Sequence, residues 1–353
     1  PMILKVSYKK TAFTYGLITY AILTTLILIA IYTAHPHHHN SRMLRKHGEH
    51  LIELEWLTYL KKHNKIYSKV QNKPLTEMEY AKQRIHIAEH NLAYLNGLTP
   101  YKLHLGVNRF VNLSSTSSNQ REIIVKNRTK ERHLKAADFP PDFDWRNRTG
   151  VVSAVKDQGD CNAGWAFSAT GTLEGQLMLK MNQSVKLSEQ NLIDCSLENL
   201  GCVYGDSSSA LKYVMNNGID LDDEYPYQAQ YSYSCKYKKS SLDFNVLEVK
   251  QEYFDAEYDV MDTLFKIGPL SIGVNASDMD FQMYHKGVFD KGISNSYSNH
   301  FVLLVGYGNE IINGLSYDYW IIKNSWGTDW GEKGYMKLNR INNPIYHVVY
   351  PEL

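Results

Sequence analysis

The sequence predicts an α+β protein carried behind an apolar leader, on three observations. Helical periodicity runs from Gly164 to Lys180 and again from Leu187 to Cys195. Past Glu248 the signal turns to short β-branched or aromatic segments separated by glycines. Near the start, Thr11 to Ala34 holds no charged residue. Helices followed by strands make an α+β arrangement, and a cleft between the two halves is where a ligand is expected. The chain has 353 residues, enough for two domains, and at 43% hydrophobic it is too apolar for disorder. With 38 basic against 37 acidic residues there is no global field to steer a polyanion, so no nucleic-acid partner is expected.

Taken in order, residues 1–10 form a short tail bearing Lys5, Lys9 and Lys10, and 11–34 form a transmembrane signal anchor. A helix of 24 uncharged residues covers a hydrocarbon core of about 30 Å. A cleaved secretory signal has a shorter apolar core and a small-residue cleavage site. No A-x-A pattern follows, so the anchor reading is preferred, with secretion after signal cleavage as the alternative. Arg42, Arg45 and Lys46 balance the three lysines on the near side, so charge leaves the topology open. The tract His35 to His39 falls in a linker, 35–50; it reads as solvated chain, and neither a metal nor a cofactor is assigned.

Residues 51–113 read as a helical region. Trp56, Tyr59, Leu60 and His63 share one face. A second helix opens at Thr76 with Glu79 closing a capping box, and its inner face runs Tyr80, Arg84, Ala88, Asn91, Leu95. A polar linker, 114–138, follows and is the natural place for a protease to cut. In the last region, 139–353, Ala166, Ala169, Leu173 and Leu177 share a helix face, and Ser188 is the expected N-cap of the next helix. Strands are expected at Leu270–Val274, Phe301–Val305, Tyr319–Lys323 and Tyr335–Leu338.

Three motifs carry the chemistry: Gln158 through Cys161 to Trp165-Ala166-Phe167-Ser168, then Asn299-His300-Phe301, then Asn324-Ser325-Trp326-Gly327. Together with Asp144-Trp145-Arg146, Gly306-Tyr307-Gly308 and Trp330-Gly331, they resemble the papain and cathepsin L-like cysteine proteases. The likeness extends upstream, where Gly106, Asn108 and Phe110 match part of that family's propeptide motif. It implies a two-lobed fold with a helical left lobe, a β-barrel-like right lobe and a cleft between them, preceded by an inhibitory propeptide. By position it implies His300 as acid/base, Asn324 as its orienting partner and Gln158 as oxyanion donor, with Trp326 shielding the pair. It also implies disulfides Cys161–Cys202 and Cys195–Cys235, which use all four cysteines.

The nucleophile's position, immediately before Trp165, is Gly164. Glycine offers no thiolate, and Cys161 is committed to a bridge in the family pattern. Other departures surround it. Asn162 stands where the family usually has glycine, and Tyr204 replaces the first glycine of a pair whose second member, Gly205, bonds substrate backbone. Phe301 falls at the border of the main specificity pocket and is expected to fill it in part; Gly273 completes the implied substrate-binding set. These changes point to a protease homologue with lost or severely reduced catalysis that binds a peptide or protein ligand in its cleft. The alternatives are a working cysteine endopeptidase carrying a substitution at Gly164, and a propeptide-type inhibitor of other cysteine proteases.

Sequons at Asn112, Asn127, Asn147, Asn182 and Asn275, with the two implied disulfides, favour a lumenal or extracellular body in the endolysosomal or secretory pathway. A chain without a nucleophile cannot process itself, so its own propeptide is expected to stay attached.

Overall fold

A computed structural model describes residues 50–51, 53–58, 77–105, 139–238, 242–254, 256–293 and 298–353. The predicted span Thr11–Ala34, the histidine tract, the helix residues Tyr59, Leu60, His63 and Thr76, the motif at Gly106–Phe110, the 114–138 linker and the sequons at Asn112 and Asn127 lie outside them. Among the described residues no helix is long and apolar enough to cross a membrane. The chain divides into two units, Pro1–Asn96 and Gly97–Leu353.

In the first unit residues 53–58 are helical and α1 spans Glu77–Leu95. Arg84, placed on the inner face by the sequence, meets Glu55 at 3.3 Å. Tyr80 is buried as expected, and so is Ile87, but Leu95 is 71% exposed. The last turn of α1 runs straight into the turn at Asn96–Gly97, so the expected stripe stops short of its final member.

The second unit is an α+β fold. Its helical lobe is built on α2 (Gly164–Met181), α3 (Glu189–Cys195) and α4 (Ser207–Asn217). Ala166, Ala169, Leu173 and Leu177 are fully buried along α2, the face read from their spacing. The Ser188 hydroxyl caps α3 by accepting from the Asn191 N–H at 2.9 Å. Asp206 does the same for α4. The bridges Cys161–Cys202 and Cys195–Cys235 are formed, and no described cysteine is free.

The second lobe is a sheet in the order β1 (Tyr101–Leu103), β5 (Tyr284–Phe289), β8 (Tyr335–Asn339), β7 (Leu315–Lys323), β6 (His300–Ile312), β4 (Leu270–Val274), β9 (His347–Glu352), β3 (Glu248–Tyr253). The short β2 (Phe143–Asp144) pairs with β6 near its middle, and α5 (Glu257–Ile267) leads into β4. The first nine residues of β6 are buried without interruption. Beyond them β6 and β7 continue as a hairpin closed by Asn313-Gly314, both at positive φ, the backbone a two-residue turn requires.

At the edge of this sheet β1 pairs antiparallel with β5, Tyr101 opposite Gly287. Gly287 sits at φ 90°, and a methyl group there would overlap the Pro100 carbonyl, so glycine is what lets the two backbones approach. Tyr101 is buried, its ring 4.9 Å from that of Phe289 and its hydroxyl donating to Asp280 at 3.0 Å. Both disulfides close loops of about 40 residues in the helical lobe. Replacing Cys195 and Cys235 together by alanine should lower unfolding stability by about 2–4 kcal/mol, read from urea midpoints.

Candidate active site

The site is assembled where α2 begins, where β6 begins and just after β7 ends. Ala163 precedes the first helical residue, Gly164, without a side-chain cap. His300 is the first residue of β6, held opposite Val274 of β4. Asn324 follows Lys323, the last residue of β7, which pairs with Leu303. The folding of these elements brings Gly164, His300 and Asn324 together across more than 130 residues of chain.

His300 Nε2 lies 2.8 Å from Asn324 Oδ1. The Ser325 backbone N–H also donates to that oxygen at 2.8 Å, which fixes Oδ1 as an acceptor. His300 therefore carries its proton on Nε2, and Nδ1 faces residue 164 as a bare lone pair. The Trp326 ring stacks on the imidazole at 5.0 Å and 27°, backed by Trp330 and Phe281. His300 is only 3% exposed, and burial pushes its pKa down to about 4 against a smaller upward pull from Asn324.

The decisive geometry is at Gly164. A methyl group built on it would overlap Cε1 and Nδ1 of His300 and come within 3.0 Å of the Phe301 carbonyl oxygen. The imidazole stands in the volume that a side chain at this position would need. With no sulfur or hydroxyl on residue 164, Nδ1 has no nucleophile to deprotonate.

Gln158 is fully buried: Nε2 donates one N–H to the Cys161 carbonyl at 2.9 Å, and Oε1 accepts from the Ser325 hydroxyl at 2.6 Å, which fixes the orientation of the amide. Ser168 bonds the Ser271 hydroxyl and the Val302 carbonyl, as a packing residue does.

Around this centre, Asn162 is half-buried and its amide donates to the Val203 carbonyl at 3.1 Å, while the Tyr204 carbonyl accepts from the Leu200 N–H. A side chain on Gly205 would overlap the Trp165 indole, so that glycine answers to packing under it. Phe301 is buried in a core cluster with Trp165, Ala166 and Val349. His300 and Phe301 point to opposite faces of β6, and the Phe301 ring edge comes within 3.8 Å of where a Cβ on Gly273 would stand, with Ser298 nearer still. Of the described sequons, Asn147 and Asn182 are exposed, and Asn275 accepts from the Ser277 N–H.

A buried ionic cluster behind the site was not foreseen. Lys156 Nζ meets Glu189 at 2.7 Å and Glu174 at 3.5 Å, and Thr170 donates to Glu189 at 2.7 Å. Lys323 donates to the Ser153 hydroxyl at 3.0 Å, and burial pushes its pKa down to about 8. Burial likewise raises the Glu189 carboxyl, opposed by Lys156. The available signal was a lysine ending an apolar strand directly before Asn324-Ser325.

A family model described as papain family cysteine protease matches residues 139–349. Cathepsin L of Sarcophaga peregrina is 35% identical over 313 residues, spanning 83% of this chain and 89% of that protein. A cathepsin L-like protein of Caenorhabditis elegans is 37% identical over 320 residues, 86% of this chain and 91% of its own. Among solved structures, digestive procathepsin L 3 of Tenebrio molitor larval midgut superposes with a TM-score of 0.70 at 33% identity, covering 86% of this chain and 99% of that one.

Two outcomes follow from the filled position at residue 164. Gly164→Ala should cost about 1–3 kcal/mol through overpacking, and most of that cost should vanish when His300 is also alanine, a coupling that a double-mutant cycle measures. His300 is neutral in the fold down to about pH 4, whereas the unfolded chain protonates it near 6.5. Stability should therefore fall by up to about 3 kcal/mol as pH drops from 6.5 to 4, a slope that His300→Gln should remove in urea titrations.

Proposed function

For a chain that belongs to the papain family of cysteine proteases, we propose a role in binding rather than cleavage: a papain-like homologue that holds a peptide or protein ligand in its cleft without turning it over. The observation that carries this reading is the His300 ring standing where the nucleophile's side chain would be, buried, neutral and facing glycine. Losing a triad nucleophile leaves only binding and oxyanion effects, roughly 10³–10⁴ over water in serine proteases, which is negligible for a peptide bond.

The segment 51–113 is read as a propeptide that remains joined to 139–353. Pairing of β1 with β5, with Tyr101 buried against Phe289 and bonded to Asp280, supports that attachment. The run 11–34 is read as an anchor that leaves the body in a lumenal or extracellular space, where both disulfides and exposed Asn147 and Asn182 are at home. The reading as an active endopeptidase keeps His300, Asn324 and Trp326 in common with this one, and the departures at Gly164, Asn162, Tyr204 and Phe301 speak against it.

Turnover decides between them. The chain, cut in the 114–138 linker by an added protease and repurified, is expected to hydrolyse fluorogenic peptides at background rate and to be indifferent to thiol reagents. Activity above background that His300→Gln abolishes would sink the binding-only reading.

A further inference from the structure

The seam between β1 and β5 carries two histidines that the candidate active site does not use. Pairing runs from Tyr101 with Gly287 and Lys102 with Lys286, then jumps to Leu103 with Tyr284. The skipped residue is His285, so a bulge takes its side chain out of the regular ladder and re-aims it. His104 follows β1 directly, and its N–H donates to the Met283 carbonyl at 2.8 Å, which carries the pairing one step further. Tyr101 and Leu103 are buried, whereas His104 is exposed and His285 half-buried, so both imidazoles lie on the outer side of the seam.

Their ring centroids stand 5.3 Å apart, with the planes tilted by 44°. With a metal–nitrogen bond of about 2.0–2.1 Å, a zinc ion lies about 3.2 Å from each imidazole centroid, and two such rings at the tetrahedral angle are about 5.2 Å apart. The pair already has the spacing that one shared ion requires. His285 Nδ1 makes no hydrogen bond among the described residues, so that nitrogen is not committed to an internal partner, and a turn about χ2 exchanges the places of the two ring nitrogens. No third histidine, cysteine or carboxylate among the described residues completes a cluster with them, which leaves the remaining coordination positions to water. Glu332, the acidic group acting on His285, spends its Oε1 on the Gly287 N–H and the Tyr284 hydroxyl.

We propose that His104 and His285 form a binding site for a divalent ion of the zinc type, which ties β1 to β5. Imidazole is a ligand for late first-row ions, whereas Mg²⁺ and Ca²⁺ take oxygen ligands that this pair does not offer. Lys102 faces Lys286 across the same seam, a like-charge pair that loosens the join and repels any cation held by charge alone. Bonds from two imidazole lone pairs are what the site has to set against them. An ion that binds the joined seam and not the separated strands holds the seam closed in proportion to its occupancy. The site makes no use of the cleft and stands whether or not the cleft holds a peptide.

Zinc chloride titrated into the full chain, in detergent and phosphate-free buffer, tests this through the Cε1–H resonances of the two histidines, each assigned by its loss in His104→Gln or His285→Gln. Magnesium chloride and sodium phosphate are titrated separately. Zinc is expected to shift both resonances with one midpoint, magnesium to shift neither, and each substitution to weaken the response of the remaining histidine at least ten-fold. With free zinc at about ten times its Kd, the residue 104 amide should exchange with solvent roughly ten-fold more slowly. His285→Gln should abolish that protection and leave the unfolding midpoint measured without zinc unchanged. A shift confined to one ring, an unchanged midpoint in the remaining ring after either substitution, or zinc binding without slower exchange at residue 104 would each overturn the proposal. So would a larger response to phosphate, which would make the seam an anion site built on Lys102 and Lys286.

Discussion

The packing of α2 against the start of β6 is the constraint on which the rest of the site depends. It fixes residue 164 against the imidazole of the first β6 residue, at a distance set by fully buried Ala166 and Ala169 on one side and by the β4–β6 ladder on the other. Stacking on Trp326 holds the His300 ring in the space beside Gly164.

Much of this was legible in the sequence because it is local. The α2 face, the Ser188 cap and the four named strands follow from period, capping chemistry and β-branching; β4 and β8 match the expected ranges within one residue, while β6 and β7 run on beyond theirs into the hairpin. The grouping of Gln158, His300 and Asn324 was legible only through motif resemblance, since nothing in their spacing says that β6 and β7 meet α2. What was missed is tertiary. The four-member cluster of Lys156, Glu174, Glu189 and Lys323 joins residues from four separate segments. The helices at Ser207–Asn217 and Glu257–Ile267 and the strands β3, β5 and β9 also went unread.

That cluster braces the wall behind the cleft. Lys156 satisfies two carboxylates at once, and Glu174 in turn accepts from the Leu187 N–H, tying α2 to the entry of α3. A buried charge set of this kind is costly to break by a single change, because the remaining partner is left uncompensated. Selection on folding alone suffices to keep it, so its presence carries no information about turnover.

The strand β1 has a consequence for colloidal behaviour. It sits at the end of the sheet, and β5 beneath it is paired on its other side with β8. Were the chain cut and β1 lost, the outer rim of β5 would present unpaired amides and carbonyls to solvent, a template onto which any extended segment can add. A homologue that never sheds its leading segment keeps that rim covered. While it stays joined, β1 acts as a hem along the rim of β5.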